Sequence, residues 1–228
     1  MIPFTVDQFL SVFERYNVAV WPAQLVFYAL GFLALCLALA RKADFSRAIS
    51  IILSTFWIWM GLVYHFWFFS AINRAALIFA AFFMMQGILF FVAGVWKSNL
   101  RFRFRPDLYG MIGSAFFIYA LVIYPVLAYW FDHRYPAAPT FGLPCPTTIF
   151  TLGMLLWTDR SVPLYLLAIP LAWSFMGFWA AVSLGMIEDC GLLVAGLLSS
   201  LLIILRDRSS AKNTNPVDPG GLAAEATR

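Results

Sequence analysis

Charged side chains are scarce in this sequence, and their scarcity excludes most soluble folds. Asp, Glu, Lys and Arg make up 11% of the 228 residues, against about one quarter in an average soluble domain. With 63% apolar residues and a mean hydropathy of +0.84, too few polar side chains remain to cover a water-facing surface. The length accommodates about six or seven membrane spans of roughly 20 residues each. The composition therefore predicts an all-α, multi-pass membrane protein without a separate soluble domain.

Motifs of familiar chemistry are also missing. The three cysteines and two histidines form no CxxC or HxxxH spacing, and no nucleotide-binding, metalloprotease or hydrolase signature occurs. No lysine lies inside an apolar run, which excludes a retinal Schiff base. The Lys and Arg residues lie between the apolar runs, as membrane orientation requires, so the net charge of +4 does not indicate a nucleic-acid partner. Enzymatic activity stays undecided, with a non-enzymatic role favoured, and the sequence specifies no cofactor.

Seven apolar runs predict seven transmembrane helices. They lie at 18–40, 48–70, 75–95, 109–130, 145–157, 162–185 and 191–205. Ahead of them, apolar residues at helical spacing in 5–16 predict an amphipathic helix in the membrane interface, and Thr5 with Gln8 fits a capping box at its start. Residues 1–208 would form one transmembrane domain, and residues 209–228 a disordered cytoplasmic tail.

Basic residues are distributed unequally between alternate loops. Apart from Arg228, eleven lie in one set of loops and three in the other. The positive-inside rule then places the N-terminus outside and the C-terminus in the cytoplasm. A six-span alternative, in which the fifth segment is re-entrant, would export the basic tail, so we favour seven spans.

The fifth span is too short to cross a bilayer. Its 13 residues reach only about 20 Å as a helix, against a hydrocarbon core near 30 Å. The preceding stretch, 135–144, contains prolines and a glycine that exclude a regular helix, and irregular backbone at membrane depth must be surrounded by protein or water. We therefore expect an extended entry into the bundle and a half-length helix that begins at Cys145 and Pro146, with an N-terminus that favours an anion or a thiolate. The alternative is an outer loop that caps a short, tilted span.

Reactive side chains gather at the predicted outer end of the bundle. Histidine and cysteine suit copper or zinc, and Cys–His pairs also suit redox chemistry, which makes His65, His133 and Cys145 the candidate metal ligands. The alternatives are interfacial hydrogen bonds for the histidines and a solvated loop for the two acidic residues. The candidate ligand-binding residues are Gln24, His65, Asn73, His133, Cys145, Thr147, Thr148, Glu188 and Asp189.

Several residues inside the spans also require an interpretation. Gln86 lies near the middle of the third span and should face the bundle as a contact between helices. Five tryptophans could stack on a planar ligand or pack against lipid. They are Trp57, Trp59, Trp67, Trp173 and Trp179.

One short motif occurs twice. Trp57-x-Trp59-Met60-Gly61 in the second span resembles Trp173-x-Phe175-Met176-Gly177 in the sixth. The pair suggests a 3+1+3 parallel repeat, in which the fourth span joins two three-span units. In a chain so rich in aromatic residues, chance similarity is the alternative.

Three stretches resemble a bacterial family of multispanning inner-membrane proteins of unknown function. They are Val20 to Gln24, Trp59 to His65, and His133 to Thr151, the last of which reads HRYPAAPTFGLPCPTTIFT. The resemblance extends over most of the chain except the tail. It implies a multi-pass protein of the bacterial inner membrane and no particular activity.

Three classes of function fit these observations. The favoured one is binding or transport of a small solute or metal ion through a site that opens to the outer face. A membrane-embedded redox enzyme or cofactor-binding subunit that uses cysteine and histidine is the second. A structural subunit of a membrane complex is the third. The only partner that all three share is the lipid bilayer.

Overall fold

The computed structural model describes residues 3–40, 42 and 44–213, and these form a bundle of helices. Three helices are extended or interrupted by segments of π-helix, at Met60–Phe68, Val92–Trp96 and Tyr119–Ile123. Short 3₁₀ turns lie at Phe69–Ala71 and Ile187–Asp189. The α-helices are α1 (Val6–Ala19), α2 (Ala23–Leu39), α3 (Phe45–Trp59), α4 (Ala76–Phe91), α5 (Leu108–Ile118), α6 (Tyr124–Trp130), α7 (Pro144–Leu156), α8 (Tyr165–Leu184) and α9 (Cys190–Asn213).

Within the described part of the chain, five helical segments are long and apolar enough to cross a membrane, which is compatible with a multi-pass membrane protein. They are Phe45–Ala71, Ala76–Trp96, Leu108–Trp130, Tyr165–Leu184 and Ile187–Ser209. The α1 and α2 helices qualify only as a pair, and the pair bends by 85°. The α9 helix continues to Asn213, four residues beyond the start of the predicted tail, and 214–228 lie outside the described residues.

The α1 helix begins as the sequence predicts. The Thr5 side chain accepts a hydrogen bond from the Gln8 backbone N–H, and the Gln8 side chain accepts one from the Thr5 N–H, which confirms the capping box. One face of α1 is buried against the bundle through Val12, Phe13 and Tyr16. The Tyr16 hydroxyl accepts a hydrogen bond of 2.8 Å from Trp59 Nε1. The helix is therefore part of the packed core and not only a surface segment.

The half-length helix α7 lies at the centre of the bundle. Every residue of Pro144–Leu156 is buried except Cys145, which is partly exposed. The helix contacts α5, α8 and α9, and its Thr151 hydroxyl accepts a hydrogen bond from Trp57 Nε1 at 3.1 Å. It begins at Pro144 after an N-cap at Leu143, one or two residues earlier than we expected. In the irregular segment before it, Ala138, Phe141 and Leu143 are buried as well, so the part of that segment next to α7 is surrounded by protein.

A proline in α8 explains the role of Gln86. Pro170 has no N–H, so the carbonyl of Leu166, one turn earlier, has no donor within the helix. The buried Gln86 side chain donates to that carbonyl through Nε2 at 2.9 Å. The structure thus confirms that Gln86 faces the bundle and connects two helices.

Candidate functional site

The site lies at one end of the bundle, which we call the carboxylate end because Glu188 and Asp189 lie there. Gly185 ends α8 with a φ of 74°, a conformation that glycine adopts without the steric cost of a side chain. The chain then reverses into the 3₁₀ turn that carries the two acidic residues, which are 0% and 5% exposed. The segment is therefore a buried turn and not the solvated loop that was the alternative for these two residues.

Each buried carboxyl group contacts a residue distant in sequence, from α6 or from the loop that follows it. The Tyr124 hydroxyl donates to Asp189 Oδ1. His133 Nδ1 lies 2.8 Å from Glu188 Oε1, and the Tyr119 hydroxyl donates to the Glu188 backbone carbonyl at 2.8 Å. Glu188 Oε2 is buried without a hydrogen-bond partner among the described residues. Because the His133 side chain is 11% exposed, it connects the buried carboxyl group of Glu188 to the surface.

Cys145 adds the N-terminus of α7 to this cluster. Its thiol lies beside the Asp189 carboxyl group and the Trp173 indole N–H. Pro144 and Pro146 have no N–H, so Cys145 supplies the only amide among the first three positions of α7. A carboxyl group of the protein itself, that of Asp189, thus lies next to the first turn of α7, at the positive end of the helix dipole. This arrangement leaves little capacity for the external anion that we expected at this helix end.

A cavity of about 390 Å³ opens beside the cluster. Ligand pockets typically measure roughly 300–1,000 Å³, with mostly apolar walls and a few polar groups. Asp189, Tyr124 and Cys145 lie on its polar side. Besides Tyr124, its aromatic lining residues are Phe4, Phe9, Phe13, Tyr64, Phe69, Phe79, Trp173 and Trp179.

The predicted site residues divide into two groups. Asn73, Cys145 and Asp189 line the cavity, while Glu188 and His133 form the pair that lies next to Asp189. The Asn73 side chain accepts a hydrogen bond from the Ala75 N–H at 3.1 Å, at the start of α4.

The other four candidates lie outside the cavity lining. Thr147 and Thr148 are fully buried, and Thr147 Oγ1 accepts a hydrogen bond of 3.0 Å from Gly142 N–H, which indicates a structural role within α7. Gln24 donates to the Asn17 carbonyl at 2.9 Å. His65 is buried, both of its ring nitrogens lack partners among the described residues, and its ring packs 5.1 Å from that of Trp173.

The candidate metal ligands are not brought together. Within the described residues, no group of three or more His, Cys, Asp and Glu side chains could hold a metal ion. His133 contacts Glu188, and no hydrogen bond joins Cys145 to either histidine in that part of the chain. A mononuclear copper or zinc site needs three or four such ligands, so the geometry does not favour one here.

Sequence reasoning missed Tyr64, Tyr124 and Asn17. Tyr64 lies in the π-helical segment Met60–Phe68, and Tyr124 directly follows a second π-helical segment, Tyr119–Ile123. Segments of π-helix are frequent at functional sites, but an apolar run carries no signal for one. Of the five tryptophans that could stack on a ligand, Trp173 and Trp179 line the cavity.

Comparison with known proteins now places the chain in a family. A model described as a family of unknown function (DUF6064) matches residues 6–214. The chain belongs to this family. No curated protein and no solved structure matches the chain. The match covers nearly all of the described bundle, including Tyr124, His133, Cys145, Glu188 and Asp189 at the carboxylate end.

Proposed function

We propose that this member of the DUF6064 family is an inner-membrane protein that binds a small, largely apolar molecule in the cavity at its carboxylate end. The observation that carries the proposal is the cavity itself, whose aromatic walls converge on three polar side chains, Asp189, Tyr124 and Cys145. An apolar wall supplies most of the binding free energy, and a few fixed polar groups orient the ligand. The half-length helix behind the cavity is the element that membrane carriers use to form such sites.

The distribution of basic residues supports an outward-facing cavity. The end of the bundle opposite the carboxylate end carries the ion pair of Arg101 with Asp159, and Arg206 donates there to the Thr158 carbonyl at 2.8 Å. Because this end contains the larger set of Lys and Arg residues, the positive-inside rule assigns it to the cytoplasm. The α7 helix would count as a seventh, incomplete span, and the cavity would open to the outer side.

Packing of the two repeated glycines supports related three-helix units. A Cβ atom on Gly61 would lie 2.9 Å from Met84 N in α4, and one on Gly177 would lie 2.6 Å from Leu192 Cδ2 in α9. Each glycine therefore lies where its helix packs closely against the next one. This equivalence is expected if spans one to three and five to seven are parallel repeats.

Protection of Cys145 from thiol modification tests the binding site. A Cys36→Ala/Cys190→Ala variant leaves Cys145 as the only thiol, and its reaction with methyl methanethiosulfonate is followed in lipid nanodiscs. Phenylbutanol is the probe, because it has an apolar body and a neutral polar head. We expect a saturable decrease in the reaction rate as phenylbutanol is added. Unchanged rates with phenylbutanol and with analogues that carry a charged head on the same apolar body would refute the binding site.

Two variants of α8 provide the matched control. Ala180 lines the cavity, and Ala172, on the same helix, is exposed on the outside of the bundle. Ala180→Phe should fill the cavity, slow the modification of Cys145 and abolish protection. Ala172→Phe should leave both unchanged. Identical behaviour of the two variants would show that the cavity is not the route to Cys145.

A further inference from the structure

The charges around the cavity do not balance. Glu188 and Asp189 are both buried, and among the ion pairs of the described residues only His133 pairs with either of them, with its Nδ1 2.8 Å from Glu188 Oε1. Two side chains contact the Asp189 carboxyl group, those of Tyr124 and Cys145, and both are neutral donors. No lysine or arginine lines the cavity in the described part of the chain. An ionised Asp189 would therefore lack a counter-ion, and a buried charge is costly unless it is paired.

The walls of the cavity favour one kind of counter-ion. The faces of aromatic rings carry negative electrostatic potential and attract cations, most strongly where water is excluded. Phe9, Phe69 and Phe79 come from three different segments and surround the cavity with Trp173 and Trp179. A metal ion would need several oxygen or nitrogen ligands, and these walls do not supply them. An organic cation needs only one carboxylate and an apolar surface.

We propose that the ligand of this cavity is an organic ammonium ion whose charged head pairs with Asp189 and whose alkyl or aryl body lies against the aromatic wall. This inference rests on the proposed binding function and names its ligand class. The head would occupy the space beside Tyr124 and Cys145, and the body would extend toward Phe9 and Phe13 of α1. Recognition of ammonium ions by aromatic residues together with a carboxylate follows from the physics of both groups.

A proton competes with the ammonium ion for Asp189. A protonated Asp189 carries no charge to pair with the cation. Binding at lower pH should therefore be weaker. The titratable groups that face Asp189 from neighbouring elements, or lie next to it in the chain, are Tyr64, Tyr119, Tyr124, Cys145, Glu188 and Cys190, with His133 beyond Glu188.

Three probes that differ only in their heads test the ligand class. Phenylbutylamine, phenylbutanol and phenylbutyrate share one apolar body and are cationic, neutral and anionic near neutral pH. Protection of Cys145 in the single-cysteine protein gives the affinity of each. We expect phenylbutylamine to bind about 10- to 100-fold more tightly than phenylbutanol, since hydrogen bonds to charged groups are the stronger ones, and phenylbutyrate to bind most weakly.

The outcomes separate the two proposals. Equal affinities for the amine and the alcohol would refute the proposal that the ligand is a cation, while the proposed binding site would stand. Absence of protection by any probe would refute the binding site. Tighter binding of phenylbutyrate would instead indicate an anion site at the start of α7 and would overturn the inference.

Variants at two acidic residues locate the preference. Asp189→Asn should reduce the preference for the amine over the alcohol to less than about threefold. Asp132→Asn should leave it unchanged, because Asp132 pairs with Arg134 at the surface with 85% of its side chain exposed. An undiminished preference in a folded Asp189→Asn protein would overturn the inference. If Asp189→Asn does not fold, the affinities of the three probes for the protein that retains Asp189 decide whether the ligand is a cation.

Discussion

Truncation of Asn17 should loosen the extended segment that leads into α7. The Asn17 side chain is fully buried, and its Nδ2 donates to the carbonyls of Pro136 at 2.7 Å and Ala138 at 2.8 Å. Its Oδ1 accepts a hydrogen bond from Thr140 Oγ1 at 2.9 Å. One side chain on α1 thus holds three residues of the segment 135–144, part of which lines the cavity. Asn17→Ala removes all of these bonds at once.

The magnitude follows from the groups left unpaired. A buried polar group that loses its partner costs roughly 1–3 kcal/mol, and the Pro136 and Ala138 carbonyls both lose theirs. The hydrogen bond to the Pro136 carbonyl is only partly buried. We therefore expect the stability of the segment to fall by about 3 kcal/mol, in the lower half of the range for two such groups. A free energy of that size corresponds to roughly a hundredfold change in an opening equilibrium.

Hydrogen exchange measures this opening directly. The Leu143 N–H is bonded to the Thr140 carbonyl and the Gly142 N–H to Thr147 Oγ1, so both amides report on the segment. In nanodiscs, Asn17→Ala should lower the protection of both amides from exchange about a hundredfold. Glu14→Ala, at an exposed position on the same helix, should leave protection unchanged. If protection from exchange falls by less than about threefold, or falls equally in Glu14→Ala, the role assigned to Asn17 is wrong.

Three further predictions concern packing and orientation. Gly113→Ala should destabilise the protein by roughly 1–3 kcal/mol, because the new Cβ would lie 2.7 Å from Trp157 Cδ1 and 2.9 Å from the Gly153 carbonyl oxygen; an unchanged thermal midpoint would contradict this packing. Trp57→Phe removes the hydrogen bond to Thr151 and should lower the free energy of unfolding by about 1 kcal/mol. A double-mutant cycle with Thr151→Val should show coupling between the two positions, whereas additive effects would argue against the bond. A reporter that is active only in the cytoplasm should be active when fused after Arg228, and an expressed but inactive fusion would reverse the orientation.

Much of the secondary structure could be predicted because its signals are local. The Thr5–Gln8 capping box, the half-length helix after 135–144 and the inward-facing Gln86 each follow from spacing or from the requirement that polar groups in a membrane be paired. The boundaries of α7 shifted because Pro144, like Pro146, is compatible with the first turn of a helix. Residue type alone does not show which of these two prolines begins the helix.

The site could be predicted only in part because its contacts join residues distant in sequence. Glu188 and Asp189 were candidates, but nothing local indicates that Tyr124 of α6 and His133, in the loop after α6, contact them. Thr147 and Thr148 looked like polar groups at a helix N-terminus, yet α7 is buried on all sides, so they face protein. Asn17 has no motif, since its role depends on carbonyl groups more than 100 residues away.

Accessibility of Cys145 from the outer side of the membrane tests the central claim most directly. In right-side-out vesicles, the protein with Cys145 as its only thiol should react with a small, membrane-impermeant methanethiosulfonate added outside. It should react faster than the matched protein that retains only Cys36, which lies on α2 outside the cavity lining, and phenylbutylamine should block the reaction saturably. Reaction only from the cytoplasmic side, or a rate that phenylbutylamine does not change, would contradict an outward-facing binding cavity.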